Sequence, residues 1–372
     1  MTAFLQSRGE AVPIDDLKVS AFTIPTDYPE SDGTLEWDRT TLVLVEAKAG
    51  GVSSLGYGYA DLPTAKLIEG TLAHVVRGLD AMSTEGAWWS MVHRIRNLGR
   101  PGLCSMAISC VDLALWDLKA RLLGVPMVTL LGGLVRPSVP AYGSGGFTSY
   151  SDQQLQAQLG GWAEQGLRSV KMKIGRDAEA DVHRVEIARN AIGPEVRLFV
   201  DANGGYSRKQ ALAQAYRFTE FDVRWFEEPV SSDDLEGLRL MRDRAPADMA
   251  ISAGEYGYDA YYFRRMLDAG AVDVLQADAT RCGGYTGFMQ ASALCVAHGM
   301  PLSTHTAPTL HTHVGCVSHP VLNLEYFHDH VRIENMFFDG VPQPEGGELS
   351  PDITRPGLGL ELKRADAERF AA

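Results

Sequence analysis

The chain has 372 residues, 45% of them hydrophobic and 22% charged, an ordinary globular balance that excludes a wholly disordered or collagenous protein. Its formal net charge is −13, from 34 Lys+Arg against 47 Asp+Glu, and no basic block offsets that field, so nucleic acid and anionic membranes are not expected as partners. No apolar run approaches the roughly 18 residues a membrane span needs, and 372 residues predict one large barrel-type domain with a smaller companion, or two mid-sized domains.

In chain order, the opening MTAFLQSRGEAVPIDD lacks an apolar core behind a basic end and does not read as a secretory signal. Leu17–Ile24 and Thr40–Ala47 are rich in apolar and β-branched residues and predict an antiparallel β start. The stretch between them, PTDYPESDGTLEWD (25–38), is rich in turn residues and predicts a loop. Helical patterns follow at 63–80, 86–97 and 104–123, the last stopping at Gly124 with Pro126 just beyond. The five cysteines (104, 110, 282, 295 and 316) are odd in number and form no CxxC pair, which suits reduced thiols and a cytoplasmic location.

After Gly132, Gly133, Pro137 and Pro140 the texture changes. Eight short apolar runs recur: VPAY (139–142), SVKMKI (169–174), RLFVDA (197–202), VRWFEE (223–228), MAISAGE (249–255), VDVLQAD (272–278), MPLSTH (300–305) and VLNLEY (321–326). Helical patterns lie between them, and that alternation predicts a parallel β/α barrel. A doubly wound sheet is disfavoured because no run is followed by GxGxxG or GxxxxGK[ST]. The predicted organisation is a capping α+β domain over 1–135, the barrel over 136–335, and a Pro/Gly-rich segment, 336–372, folding back on the first domain.

Polar residues stand at the ends of these runs: Lys171 and Lys173, Asp201 and Asn203, Glu227, Glu255, Asp278, His305 and Glu325. In such a barrel the C-terminal strand ends share one mouth. Val-Lys-Met-Lys-Ile alternates, so Lys171 and Lys173 share the interior face, where mutual repulsion and burial are expected to lower their pKa values. Asp201, Glu227 and Glu255 are 26 and 28 residues apart, one β/α step each, and become neighbours on the rim. Three converging carboxylates call for a hard divalent cation, and a set without Cys or His favours Mg²⁺. Glu228 follows Glu227 directly and is expected to point away, so Glu227 is taken as the ligand and Glu228 stays a candidate for the layer that supports the ligands. Asp278 one strand before His305 makes an acid/base dyad in which the carboxylate fixes the imidazole tautomer. His311, His313, His328 and His330 read as decoys on loop or helix, without the ligand frame of a zinc hydrolase.

These residues resemble the enolase superfamily, in its mandelate-racemase-like subgroup. The likeness rests on AISCVDLALWDLKARLLGVP (107–126), LLGG (130–133), VKMK (170–173), DAN (201–203), WFEEP (225–229), AGE (253–255), DATRCGG (278–284), STH (303–305) and NLEY (323–326), in order and at one-strand spacing. The resemblance implies a capping domain over a modified (β/α)₇β barrel. It implies Mg²⁺ on Asp201, Glu227 and Glu255. Lys173 would be a base on one face of the substrate, and His305 with Asp278 the acid/base on the other. Lys171, Asn203 and Glu325 would meet the substrate carboxylate or its enediolate. It also implies homo-oligomers, dimers or octamers. One departure stands out: GYGYAD (56–61) has Tyr59 where many relatives carry an acidic residue. In the family this loop and the 25–38 loop close over the substrate, so Tyr28, Trp37, Tyr57 and Tyr59 become substrate-contact candidates.

The expected chemistry is removal of a proton beside a carboxylate. The leading expectation is dehydration of an acid sugar to a 2-keto-3-deoxy acid. The alternatives are a racemase or epimerase, or a cycloisomerase of a hydroxy acid or sugar lactone. A non-catalytic carboxylate-binding protein is the alternative from a different class, and a lost base or ligand would mark it.

Overall fold

The structure is a computed structural model and describes residues 11–372. The first ten residues, most of the stretch read as lacking a secretory signal, lie outside the described residues. Three antiparallel strands open the fold: β1 (Ile14–Ser31), β2 (Glu36–Ala49) and β3 (Val52–Tyr59), in the order β1-β2-β3. Helices α1 (Leu62–Leu67) and α2 (Ala73–Val76) follow, joined by a π turn at Ile68–Leu72. Then come α3 (Thr84–Arg94), α4 (Leu103–Leu123) and the short α5 (Met127–Leu130). α4 buries most of its length against this sheet and ends at Gly124, whose φ of 68° lets its N–H and the next turn close the helix.

Two segments expected as loops are strand instead. The turn-rich stretch after Pro25 stays in β1, because its extra residues are absorbed in a bulge. Pairing jumps from Pro25–Arg39 to Glu30–Trp37, so residues 26–29 stand opposite residue 38 alone. The turn itself is at 32–35, where Asp32 Oδ1 accepts the N–H groups of Thr34 and Leu35 at 2.6 and 2.7 Å. The GYGY stretch forms β3, pairing Gly56 with Val45 and Tyr57 with Leu44. Its Gly56 is dictated by packing: a Cβ there would lie 2.2 Å from the backbone N of Ala114 in α4.

The barrel follows as β4 (Val139–Gly145), α6 (Asp152–Glu164), β5 (Ser169–Lys173), α7 (Ala178–Ile192), β6 (Arg197–Asp201), α8 (Arg208–Phe218), β7 (Val223–Glu227), α9 (Leu235–Arg244), β8 (Ala250–Ala253), α10 (Ala260–Asp268), β9 (Val274–Ala277), α11 (Gly284–His298), β10 (Leu302–Thr304), α12 (Pro308–Val317) and β11 (Val321–Phe327). All eight strands are parallel, and β11 pairs with β4 to close the ring. Capping boxes start α6 (Ser151 with Gln154) and α8 (Ser207 with Gln210). The helix after the eighth strand, α13 (His328–Phe337), leaves the ring for the cap: Arg332 donates to Pro25 O at 2.7 Å, and Tyr57 Oη donates to Glu334 at 2.8 Å. The fold is thus a (β/α)₇β barrel under an α+β cap.

The remaining chain holds β12 (Phe338–Asp339), β13 (Glu348–Leu349), β14 (Glu361–Leu362) and α14 (Arg364–Ala367). β12 pairs with β14, β13 with β4, and the Ala372 N–H reaches Ala21 O of β1 at 3.1 Å. All five cysteines are buried and unpaired. Among the described residues no helix is long and apolar enough to cross a membrane.

Candidate active site

The C-terminal strand ends converge as their inward positions require. Lys171 and Lys173 both project inward from β5 and are buried. Lys171 Nζ lies 2.6 Å from Glu227 Oε1, 2.8 Å from Glu325 Oε1 and 3.5 Å from Asp201 Oδ2. Lys173 Nζ lies 2.5 Å from Asp201 Oδ2. These partners reverse the expected direction of the lysine pKa values. Burial pulls both down, but Glu227 and Glu325 around Lys171, and Asp201 beside Lys173, outweigh it, and both end above the ordinary lysine value. Repulsion between the two ammonium groups is the smaller effect because each has a nearer carboxylate.

Asp201, Glu227 and Glu255 each offer an oxygen within 4.8 Å of the others. Trp225 Nε1 donates to Glu227 Oε2 at 3.1 Å, and the Asn203 N–H donates to Asp201 Oδ1 at 2.9 Å. Glu228 does not turn away from this group. Its φ of 38° is left-handed, its side chain is buried, and its neighbours in charge are Glu255, Asp201 and Glu227. Burial first, then those carboxylates, hold Glu228 well above the ordinary carboxylate range; burial and then Asp201 do the same to Glu227. Glu255 Oε2, Glu228 Oε1 and Asn203 Oδ1 are buried oxygens without a hydrogen-bond partner. Excess negative charge with orphaned oxygens is what a hard divalent cation resolves, so the donor set fits Mg²⁺.

His305 stands across the mouth. Its Nδ1 is 2.8 Å from Asp278 Oδ2 and its Nε2 is 3.4 Å from Glu255 Oε2. Asp278 is held in place by Thr280, whose N–H and Oγ1 both reach Oδ1 at 2.7 Å. Burial raises the Asp278 pKa, but the bond and charge from His305 outweigh it and keep the group below the ordinary range. An ionised carboxylate only accepts, so Nδ1 carries a proton, and in the neutral ring Nε2 faces the mouth as an acceptor. Glu325 takes Ser144 Oγ at 2.6 Å on Oε1 and the Thr306 N–H at 2.8 Å on Oε2. Thr306 and Ala307 have φ of 50° and 38°, strained backbone immediately after the dyad.

The mouth is a cavity of about 420 Å³. Lys173, Asn203, Glu255, His305 and Glu325 line it from the barrel, and Trp37 and Tyr59 from the cap. Trp37 Nε1 donates to Glu30 Oε2 at 2.8 Å, and Tyr59 stacks on His330 with ring centroids 3.3 Å apart. The other two cap aromatics are elsewhere. Tyr57, two residues before Tyr59 on the same face of β3, sits one step deeper. It is fully buried, bonded to Glu334 and stacked on Phe338 at 4.8 Å, so it packs the cap on the barrel. Tyr28 is thrown outward by the β1 bulge, is 52% exposed and meets Tyr150 edge-on.

Among the residues at the mouth for which the sequence raised no expectation of substrate contact are Arg39, Tyr256, Arg281 and His330. Arg281 bridges the two halves of the site, 3.3 Å from Glu255 Oε1 and 3.7 Å from Asp278 Oδ2. Its place in DATRCGG, three residues past Asp278, was the available signal. His330 lies on a helix as expected, but its ring reaches the mouth. Its Nδ1 accepts the Ala307 N–H at 3.2 Å, which leaves Nε2–H as a donor. His311 braces the dyad loop, accepting the Ala279 N–H on Nε2 at 2.9 Å and facing Thr306 O with Nδ1 at 2.8 Å.

Residues 154–367 match the family described as Enolase C-terminal domain-like, and residues 25–132 match the mandelate racemase/muconate lactonizing enzyme N-terminal domain. The chain belongs to the mandelate racemase/muconate lactonizing enzyme family of the enolase superfamily. It is 31% identical to D-galactarolactone cycloisomerase of Agrobacterium fabrum, over 92% of this chain and 95% of that one. It is 32% identical to L-rhamnonate dehydratase of Saccharopolyspora erythraea, over 87% and 83%. Among solved structures, a mandelate racemase/muconate lactonizing enzyme-like protein from Rubrobacter xylanophilus has a TM-score of 0.94 and 54% identity, covering 97% of this chain and all (100%) of that one. A racemase from Streptomyces coelicolor A3(2) with bound magnesium has a TM-score of 0.91 and 30% identity, covering 96% and 100%. As a member of this family the chain is an enolase-superfamily enzyme, a lyase or isomerase, which sets aside the non-catalytic alternative.

Proposed function

We propose that this family member is an acid-sugar dehydratase that uses Mg²⁺ held by Asp201, Glu227 and Glu255. The observation that carries the reading is the pair of proton-transfer groups of different kinds, Lys173 after β5 and His305 after β10, five strand steps apart along the arc of the ring that carries the carboxylate triad. Bound there, the cation supplies positive charge where the substrate carboxylate gains negative charge as its α-proton leaves. Lys171, set between Glu227 and Glu325, adds a second fixed charge at the floor.

His305 enters with Nε2 as the acceptor, held in that tautomer by Asp278. It takes the α-proton, and the C–H electrons become the C=C bond of an enediolate. Lys173 enters as an ammonium and delivers a proton to the β-hydroxyl, which departs as water with its C–O bonding pair. The resulting enol tautomerises to the 2-keto-3-deoxy acid. Trp37, Tyr59 and His330 close the mouth from the cap side and exclude water from the charged floor.

A second reading, cycloisomerisation of a sugar lactone, draws on the likeness to the Agrobacterium cycloisomerase. It needs the same α-proton step with ring opening or closure in place of water loss. One experiment separates them: an acid-sugar and lactone library with Mg²⁺, read for keto-acid product and for α-deuterium uptake from D₂O. Keto acid supports dehydration, and isomerised lactone without keto acid supports cycloisomerisation. Full activity in a chelator-washed, metal-free sample would remove the cation from the reading.

A further inference from the structure

A second set of metal-type donors lies where the cap meets the end of the eighth barrel strand. Asp27 in the β1 bulge, Glu30 further along that strand, and His328 at the start of α13 each bring a donor atom within 4.8 Å of the others. His328 Nε2 stands 2.9 Å from Asp27 Oδ2. Donors bound about 2.1 Å from one ion are roughly 3.0–3.4 Å from each other in octahedral or tetrahedral geometry. That pair is therefore already near coordination spacing. The remaining separation closes by side-chain rotation, because Asp27 is exposed and His328 only half-buried.

Glu30 separates this group from an ordinary surface acid–imidazole pair. Its side chain is completely buried. Oε2 accepts from Trp37 Nε1 at 2.8 Å, and Oε1 has no hydrogen-bond partner. The neighbouring cation does not serve it, because Arg332 is committed to Asp329 and to Pro25 O, at 2.5 and 2.7 Å. A buried carboxylate oxygen left without a donor is costly in the folded protein, and a bound cation would satisfy it.

We propose that Asp27, Glu30 and His328 form a second cation site, distinct from the triad, for a transition-series divalent ion such as Zn²⁺. Two carboxylates with an imidazole suit that class, whereas the all-oxygen triad suits Mg²⁺. The ion would tie the bulge of β1 to the first turn of α13. Through the Glu30–Trp37 hydrogen bond it would also brace one wall of the mouth.

The test uses chelator-treated full-length protein with the triad saturated by Mg²⁺, titrated with Zn²⁺ by calorimetry and checked by elemental analysis after dialysis. The expected result is one Zn²⁺ per chain, bound about tenfold or more weakly in both His328→Asn and Asp27→Asn, and unchanged in Glu255→Gln. Both weakening substitutions are at solvent-accessible side chains, and circular dichroism checks that each variant is folded. Glu30→Gln, close in size, gives a third reading of the same loss. No retained zinc in the parent protein overturns the site, as does zinc that survives both His328→Asn and Asp27→Asn. Zinc lost in Glu255→Gln but kept in His328→Asn assigns it to the triad and equally overturns the proposal.

Discussion

The two ends of the barrel interior are made by the same strands and do opposite work. Toward the N-terminal ends the inward residues are Tyr142, Phe199, Trp225 and Val274, an apolar plug in which Phe199 stacks on Trp225 at 5.2 Å and Tyr142 meets Phe199 edge-on at 5.4 Å. Two residues further along, the same strands turn Ser144, Asp201, Glu227 and Gln276 inward. The plug stabilises by burial; the ring above it crowds like charges in a place where charge costs free energy. A closed barrel tolerates such a ring because the layer beneath holds the strands without help from it. Size does not find the site. The depression at the plugged end is larger, about 780 Å³ against about 420 Å³, yet neither Lys173 and His305 nor the carboxylate triad lines it.

The largest expected effect tests the ring. Lys173→Met and His305→Asn should each lower turnover by about 10²–10⁴-fold, measured as product formation and α-deuterium exchange, with an unfolded fraction no greater than in the parent protein. Loss of folded protein in both variants would put these residues in the structural layer and erase the contrast. The plug gives the converse. Phe199→Ala should cost about 3–5 kcal/mol in denaturant unfolding, while the folded protein binds Mg²⁺ as before. Weakened Mg²⁺ binding would mean that the two layers are coupled.

A pH experiment sharpens the comparison by using a group outside both layers. His313 on α12 is buried, its Nδ1 has no partner, and burial pushes its pKa down to about 4. Unfolded, it titrates near its ordinary value of about 6.5. Above that pH both states are neutral and the group is silent. As pH falls from about 6.5 toward 4 the unfolded chain takes the proton first, so stability declines by about 3 kcal/mol. His313→Asn should flatten stability over this window in denaturant titrations at several pH values and leave the pH dependence of turnover unchanged. The smallest effect concerns the cap. Tyr59→Phe removes a 3.3 Å bond to His330 O at the mouth and should raise KM or alter substrate ranking modestly, by up to about tenfold. Tyr28→Phe, at the exposed bulge, should leave the ranking unchanged. A shift with Tyr28 and none with Tyr59 would reverse the assignment made from the fold.

The barrel and its strand-end residues were legible in the sequence because both depend on local regularities. Alternation within VKMKI settles which lysines face inward, and a β/α step of 26 or 28 residues carries a carboxylate from one strand end to the next. Only the tertiary structure decided what those residues meet. The lysines end with raised rather than lowered pKa values because Asp201, Glu227 and Glu325 arrive from other strands at 2.5–2.8 Å. Glu228 joins the acidic group because its backbone adopts a positive φ, which strict alternation does not anticipate. GYGY becomes a strand because β2 and α4 hold it there, against the weak β preference of its glycines. Tyr57 and Tyr59 are near-identical in sequence context, yet one is sealed under α13 and the other faces the mouth, and Asp27 and His328 lie 301 residues apart until the cap closes on the barrel. Periodicity is a property of neighbours along the chain, whereas charge partners, depth and exposure depend on segments that only folding brings together.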